Sequence, residues 1–145
     1  MGFAGSDLIS IVERRTRMKT FIISRAKSFR YAFGGWWYVI RTQRNAWIHT
    51  VISLAVIALS IWLHLSRVEW SVIILTIAFV WAAEFLNTAL EAVVDLASPG
   101  QHELAKIGKD VGAAAVLIAA GASVLVGLLI LGPPLWESVH AWLAP

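Results

Sequence analysis

The sequence contains no cysteine and few charged residues. Of its 145 residues, 14% are charged and 59% are hydrophobic, with a mean hydropathy of +0.73. The absence of cysteine excludes disulfides, thiolate metal sites and redox-thiol chemistry. Soluble domains carry about 25% charged residues. The low charge therefore excludes an ordinary soluble protein and indicates a membrane protein.

Three long apolar runs predict three membrane-spanning helices, at about 47–65, 70–96 and 111–132. Each is close to or above the roughly 20 residues that a helix needs to cross a bilayer. The turn residues "SPGQ" at 98–101 join the second run to the third, and "LGPPLW" at 131–136 is expected to break the third helix at its outer end.

The segments outside the spans differ in composition. Residues 1–20 are polar and basic and are predicted to form a mobile cytoplasmic tail, and residues 137–145 an outer tail. Residues 21–45 interleave Phe, Trp and Tyr with Arg and Lys, which is typical of an amphipathic helix lying on the membrane surface. We expect Gly34–Gly35 to interrupt or bend it. A basic anchor for anionic lipid stays open as this segment's whole role.

Positive charge is concentrated at the N-terminal end, which predicts the orientation of the chain. Cytoplasmic loops of membrane proteins carry an excess of Lys and Arg. The N-terminal segment and the 97–110 loop should therefore face the cytoplasm, with the C-terminus outside. This placement favours a membrane role for the charge over nucleic-acid binding. Nine of the twelve basic residues precede residue 45: Arg14, Arg15, Arg17, Lys19, Arg25, Lys27, Arg30, Arg41 and Arg44.

The second span carries an acidic stripe of four polar residues, Glu84, Asn87, Glu91 and Asp95. At 3.6 residues per turn these positions fall within about 80° of one another, on one helix face. A charge in hydrocarbon costs roughly 2.5–3.5 kcal/mol on insertion scales, so this face should contact protein, water or a cation. Glu84 lies about 21 Å along the helix from Trp70. We therefore expect the stripe to run from lipid depth towards cytoplasmic water.

The loop after the stripe and the start of the third span read "HELAKIGKD" (102–110). Cations and carboxylates at a helix start suit nucleotide phosphates with Mg²⁺. The segment is not a Walker A loop, because the first Gly and the Ser or Thr are missing. A salt-bridged cytoplasmic cap explains the same residues. His49, His64 and His140 show no metal-ligand spacing and are interpreted as interfacial and structural.

Three stretches carry a resemblance: "SFRYAFGGWWYVIRTQRNAWIH" (28–49), "AEFLNTALEAVVDL" (83–96) and "HELAKIGKDVGAAAVLIAA" (102–120). They closely resemble the signature of the small bacterial diacylglycerol kinase and undecaprenol kinase family, over about residues 24–125. The resemblance implies an all-α membrane protein with three transmembrane helices and an N-terminal amphipathic surface helix. It also implies a homotrimer with shared active sites in the bacterial cell membrane, with 21–136 as the lipid kinase domain.

The resemblance further implies a reaction and its residues. ATP, with Mg²⁺, would phosphorylate the hydroxyl of a membrane lipid alcohol. Glu84 matches the catalytic carboxylate that takes the hydroxyl proton, and Glu91 matches a metal ligand within the nucleotide site. Asn87 and Asp95 fall in the surrounding polar network. Nucleotide contacts fall on Tyr31, Gln43, Gly100, Gln101, His102, Lys109 and Asp110, and lipid contacts fall on Trp37, Arg41, Asn45 and Trp47 together with Glu84.

Gln43 departs from the family pattern, in which many members carry a metal-binding Glu at this position. An amide oxygen can ligate Mg²⁺ but brings no negative charge. Either metal binding is weaker, or Asp95 or phosphate oxygens complete the metal's ligands.

A lipid kinase is the leading functional hypothesis, and two others stay open. Buried carboxylates also mark proton or cation pathways, and the departure at Gln43 leaves room for a non-catalytic lipid-binding protein. Within the kinase reading, the stretch "VDLASPGQHELAKIGKDV" resembles the undecaprenol kinase branch more than the diacylglycerol kinase branch.

Overall fold

The computed structural model describes the backbone of residues 3–100 and 102–143, and side chains from residue 24 onward in those ranges together with those of 17, 18 and 21. Its elements are four helices: α1 (Phe3–Thr42), α2 (Arg44–Trp62), α3 (Arg67–Ala97) and α4 (Glu103–Leu143). The described part of the chain contains no strand, which confirms the all-α prediction. The chain divides into two compact units, residues 1–41 and 42–145.

Three of the helices are long and apolar enough to cross a membrane, as predicted. They are α2, α3 and α4, with 19, 31 and 41 residues and mean hydropathies of 1.6, 1.8 and 2.7. At 1.5 Å per residue, α3 is about 46 Å long and α4 about 61 Å, against a hydrocarbon core of about 30 Å. Both helices are therefore longer than a single membrane crossing requires.

Helix α1 is longer than predicted and runs without a break through Gly34–Gly35. Neither glycine adopts a positive φ. A glycine in a helix costs roughly 1 kcal/mol relative to alanine, which weakens a helix without ending it. The predicted interruption is therefore wrong. The helix also begins at Phe3, inside the segment predicted to be a basic tail, while its predicted amphipathic role on a membrane surface stays a prediction.

Helix α4 continues through Pro133 and Pro134, so the predicted break at 131–136 is also wrong. A proline removes one backbone donor and strains the preceding turn, but membrane helices tolerate it when other groups satisfy the freed carbonyls. Beyond the prolines, the hydroxyl of Ser138 donates to the carbonyl of Pro134 at 2.8 Å. The helix reaches Leu143, well past the predicted end of the third span.

The turn between α2 and α3 is built from two helix caps. His64 has a left-handed φ of 53°, and the amides of His64 and Leu65 donate to the carbonyls of Ile61 and Ser60. These are the two hydrogen bonds of a Schellman ending, in which glycine is the usual left-handed residue. Ser66 then caps α3 in a reciprocal capping box with Glu69. Glu69 thus accepts a hydrogen bond from the Ser66 amide and stabilises the start of α3.

Helices α3 and α4 form the most extensive packing, and α2 contacts both. Their buried apolar side chains are few, and include Ile73, Val80, Val116 and Ala119. Many large apolar side chains remain exposed, such as Leu117 at 73% and Leu129 at 75%. Apolar surface on this scale requires cover by lipid or by other subunits. The packing therefore leaves α2, α3 and α4 with membrane-type outer faces.

Candidate functional site

Glu84 is a carboxylate buried inside this small bundle. It lies on α3 and is only 1% exposed. Among the described residues, neither of its carboxylate oxygens has a hydrogen-bond partner. One group in the described part of the chain that can carry a positive charge lies within 4 Å: His49 of α2, whose Nε2 is 3.8 Å from Glu84 Oε2. A buried carboxyl without a partner is costly to keep, which marks this position as a candidate for chemistry.

Asn87, one turn further along α3, packs against α4. It is 7% exposed, and it faces Gly112. A Cβ at Gly112 would overlap Asn87 Oδ1 and lie 3.1 Å from Leu90 Cδ2. The small residue at this point of α4 therefore lets the helix backbone approach the amide of Asn87 closely.

We predict that Gly112→Ala disrupts the site by displacing Asn87. Overpacking of this kind costs typically 1–3 kcal/mol. The displaced Asn87 amide would also lose the hydrogen bond that its Nδ2 donates to Glu91 Oε1. The thermal unfolding temperature in detergent should fall, and so should the rate of the phosphate transfer that the family resemblance implies. Gly121→Ala on the same helix is the matched control, because no described atom apart from the adjacent residues and nearby backbone of α4 lies within 4 Å of a Cβ there. Equal behaviour of the two variants would contradict the predicted close approach.

Glu91 is held by two amides, one on each carboxylate oxygen. Asn87 Nδ2 donates to Oε1 at 3.1 Å, and Gln43 Nε2 donates to Oε2 at 3.4 Å. Gln43 is the N-cap residue of α2, yet its side chain makes no cap hydrogen bond. Its amide instead ties the start of α2 to the acidic stripe, which fixes the direction of the Glu91 carboxylate.

Asp95 and Lys109 form an ion pair between α3 and α4, with Oδ1 and Nζ 2.5 Å apart. The side chains are 65% and 39% exposed respectively. The acidic stripe thus changes character along α3, from a buried carboxyl at Glu84 to a water-exposed ion pair at Asp95. Exposure therefore rises along the stripe from Glu84 to Asp95, while the depth of these residues in the membrane stays a prediction.

A cavity of about 700 Å³ lies beside this ion pair, between the end of α3 and the start of α4. Its volume lies within the range of small-molecule sites, roughly 300–1,000 Å³. At its rim, His102 Nδ1 accepts a hydrogen bond from the Leu104 amide at 3.2 Å and so caps α4. Four of the residues predicted for the nucleotide site line this cavity, namely Gly100, His102, Lys109 and Asp110. The lining includes Asp95, Ser98, Gly100, His102, Glu103, Lys106, Lys109 and Asp110.

The remaining predicted site residues are distributed over both units. Gln101 lies outside the described residues. On α1, the Arg30 guanidinium lies 5.6 Å from the Tyr31 ring centre, and the Arg41 guanidinium lies 5.9 Å from that of Trp37. Tyr31 is a predicted nucleotide contact, and Trp37 and Arg41 are predicted lipid contacts; all three belong to the first unit.

Two predicted lipid contacts belong to the first turn of α2. Asn45 lines a cavity of about 290 Å³ together with His49 and residues of α4 such as Ala113 and Val116. Trp47 is 59% exposed. Asn45 therefore lies near the buried end of the acidic stripe, while Trp47 has an accessible ring.

His49 is the site neighbour that the sequence interpretation missed, because it was assigned to the interface. A signal was present in α2, where His49, Ser53 and Ser60 recur at intervals of four and seven residues. These intervals place the three side chains within about 40° on one helix face. A polar face on an apolar span predicts a partner helix with polar groups of its own.

Comparison with known proteins gives consistent results. A model of the family described as "Prokaryotic diacylglycerol kinase" matches residues 30–131. A diacylglycerol kinase of Synechocystis sp. is 54% identical over 110 residues, covering 74% of this chain and 62% of that protein. The undecaprenol kinase of Bacillus subtilis is 42% identical over 109 residues, covering 75% of this chain and 89% of that protein.

A diacylglycerol kinase of Escherichia coli is 35% identical over 101 residues, covering 65% of this chain and 83% of that protein. The chain thus spans less than two thirds of the Synechocystis protein but most of the other two. The family match extends across more than half of the chain and includes the whole acidic stripe and the Asp95–Lys109 pair. The chain therefore belongs to the prokaryotic diacylglycerol kinase family, a family of lipid kinases.

Proposed function

We propose that this protein is an ATP-dependent lipid kinase that transfers the γ-phosphate of ATP to the hydroxyl of a membrane lipid alcohol. One observation carries the proposal: a single helix joins two different environments. Glu84 is 1% exposed within the bundle, whereas Asp95 of the same helix pairs with Lys109 at the wall of an open cavity. Family membership supports the same class of reaction.

The acidic stripe suits a reaction between one substrate in lipid and another in water. Glu84 and Asp95 are eleven residues apart, or about 16 Å along the helix. Glu91 lies between them, with its carboxylate held by Asn87 and Gln43. A triphosphate entering from the cavity would extend along the stripe towards Glu84, where a lipid hydroxyl is to react.

The chain's own residues can carry the required steps. Glu84 would orient the alcohol and accept its proton while the hydroxyl oxygen attacks the γ-phosphorus. The bond between the γ-phosphorus and its bridging oxygen breaks, so that ADP leaves and a lipid phosphate forms. Lys109 would offset negative charge on the phosphates. Positioning and charge neutralisation are the main needs of phosphoryl transfer.

Magnesium fits the donor set around Glu91. Mg²⁺ usually binds to one or two carboxylates and completes its ligands with water and phosphate oxygens. Glu91 would hold the ion, with the amide oxygen of Gln43 within reach after rotation. When bound, Mg²⁺ would supply charge neutralisation for the phosphates.

Two lipid alcohols are candidate substrates, each favoured by a different observation. The stretch after Asp95 resembles the undecaprenol kinase branch, and the Bacillus subtilis relative is an undecaprenol kinase. The Synechocystis relative, at 54% identity, is a diacylglycerol kinase. We favour undecaprenol, because the sequence at 94–111 resembles the undecaprenol kinase branch more than the diacylglycerol kinase branch.

The test is transfer of labelled phosphate from ATP in mixed micelles, with undecaprenol and diacylglycerol offered separately. Label on undecaprenol alone supports the favoured substrate, and label on diacylglycerol assigns the other. Absence of label on both, in a folded preparation that has Mg²⁺, would overturn the lipid kinase proposal. The non-catalytic alternative would then be supported if the protein still bound lipid.

The two other hypotheses fit the chain less well. A proton or cation pathway has no use for a lysine-lined cavity of about 700 Å³ beside the stripe. A lipid-binding protein without catalysis does not require the unpartnered carboxyl of Glu84. Binding of Mg-ATP, measured directly, separates the kinase from both alternatives.

We also propose the topology: a bacterial inner-membrane homotrimer with the N-terminus in the cytoplasm and the C-terminus outside. The native chain has no cysteine, so single-cysteine variants report position without background. In intact cells an impermeant maleimide should label Glu137→Cys, and should label Pro99→Cys only after permeabilisation. The reverse pattern would contradict this orientation. Light scattering of the detergent-solubilised protein should give a mass three times 15.9 kDa.

A further inference from the structure

His49 and Glu84 approach each other across the contact between α2 and α3. Nε2 of His49 lies 3.8 Å from Oε2 of Glu84. The His49 side chain is 12% exposed and that of Glu84 1%. This distance is longer than a hydrogen bond, so the two groups would have to move closer to pair.

Both groups lack another partner in the described part of the chain. Nε2 of His49 and both carboxylate oxygens of Glu84 are buried without a hydrogen bond there. Buried polar atoms are nearly always paired in native proteins. The His49 ring nitrogen can donate a hydrogen bond and the Glu84 carboxylate can accept one. Each group can therefore serve as the missing partner of the other.

The imidazole ring is itself held in place by its neighbours. His49 and Trp81 make an edge-on ring contact with centroids 6.3 Å apart. Trp81 Nε1 donates to Ser53 Oγ on α2 at 3.3 Å. Trp81 of α3 and Ser53 of α2 therefore tie the two helices together one turn from His49, which limits the positions available to its ring.

We propose that His49 is a positioning residue for Glu84. Its Nε2–H donates to Oε2, fixes the carboxylate plane, and leaves Oε1 free to accept the proton of the lipid hydroxyl. This proposal rests on the proposed lipid kinase function. It gives a role to a buried histidine that the reaction does not otherwise use.

The experiment compares His49→Leu with His49→Gln in the labelled-phosphate assay. Leucine removes the donor, whereas the amide nitrogen of glutamine can reach nearly the same place as Nε2. We expect His49→Leu to lower kcat roughly 10- to 100-fold, as for loss of a hydrogen bond to a charged group, with KM for ATP unchanged. His49→Gln should recover most of kcat. His140→Leu, at an exposed position of α4, is the control for loss of a histidine.

A second measurement does not depend on catalysis. An apolar carbodiimide modifies protonated carboxyls, and mass spectrometry of the peptide reports the rate at Glu84. Loss of the donor favours the protonated form, so His49→Leu should be modified faster than the native protein and His49→Gln at nearly the native rate. If this pattern appears in a protein that phosphorylates no lipid, the proposed function fails and the positioning role stands.

Two results would overturn the positioning role. One is full activity and native modification rate in His49→Leu. The other is an equal loss of kcat in both folded His49 variants, which would assign His49 to packing of its ring and exclude hydrogen-bond donation as its role.

Discussion

Glu84→Gln is expected to lower the rate of lipid phosphorylation roughly 10²- to 10⁴-fold, the usual contribution of a general base. Glutamine has nearly the same shape as glutamate but cannot accept the proton of the lipid hydroxyl. Glu84 lies away from the cavity wall formed by the α3–α4 loop, so binding of Mg-ATP should be retained. The loss should therefore appear in kcat, with little change in KM for ATP.

The same variant should be at least as stable as the native protein. The carboxylate of Glu84 is 1% exposed and has no hydrogen-bond partner among the described residues. Burial of an ionised group is unfavourable. Glutamine removes this charge, while its amide oxygen can still accept a hydrogen bond from His49. Thermal unfolding in detergent measures this directly. An inactive variant with undiminished stability would assign the loss of activity to chemistry.

Glu137→Gln is the matched control for Glu84→Gln. Glu137 is an exposed carboxylate near the end of α4, so the substitution makes the same change of charge away from the acidic stripe. Its activity should equal that of the native protein. If Glu84→Gln retained more than about a tenth of native activity, Glu84 would not be the general base.

The sequence predicted the acidic stripe well because its information is local. A helix of known period converts the spacing of Glu84, Asn87 and Glu91 into one face, and the cost of charge in lipid directs that face inward. The structure agrees, since Glu84 and Asn87 are buried and Glu91 is held between two amides.

The sequence pattern could not predict the contacts between helices. The approach of His49 to Glu84 and of Gly112 to Asn87 depends on the rotation and separation of packed helices. Periodicity assigns a residue to a face but does not say which partner residue it meets. Local breaker residues also misled the prediction, because the helices at Gly34–Gly35 and Pro133–Pro134 continue.

Predicted contacts that require a second subunit or substrate remain predictions for the same reason. The proposed lipid contacts Trp37 and Arg41 lie on α1, in a unit separate from the acidic stripe. Their role depends on how subunits and membrane arrange that helix. The single chain determines the stripe and the cavity, and the assembly determines what covers the exposed apolar faces.

The second large effect is expected at Lys109. Lys109→Met should lower kcat/KM for Mg-ATP roughly 10²- to 10³-fold, which is typical for removal of one group that stabilises charge in a transition state. Lys109 lines the cavity and pairs with Asp95. The ion pair itself contributes little to folding, about 0–1 kcal/mol, because both side chains are substantially exposed. The thermal unfolding temperature of Lys109→Met should therefore stay close to that of the native protein.

A charge-reversed pair separates the phosphate-binding role from a structural salt bridge. The double variant Asp95→Lys with Lys109→Asp keeps opposite charges on the same two helices, so a cap made of this salt bridge should be restored. A lysine on α3 would approach the phosphates from a different direction, and the carboxylate now on α4 would repel them. We expect the double variant to fold and to remain as inactive as Lys109→Met.

Recovery of native kcat/KM in the double variant would show that the salt bridge alone is needed, and the cytoplasmic-cap interpretation of this loop would replace nucleotide binding. Lys109→Arg sharpens the comparison, because arginine keeps the charge but has a different shape and donor geometry. Partial activity in Lys109→Arg, together with an inactive charge-reversed pair, would assign to Lys109 a direct contact with phosphate. The wall of the α3–α4 cavity would then be the nucleotide side of a site whose lipid side is Glu84.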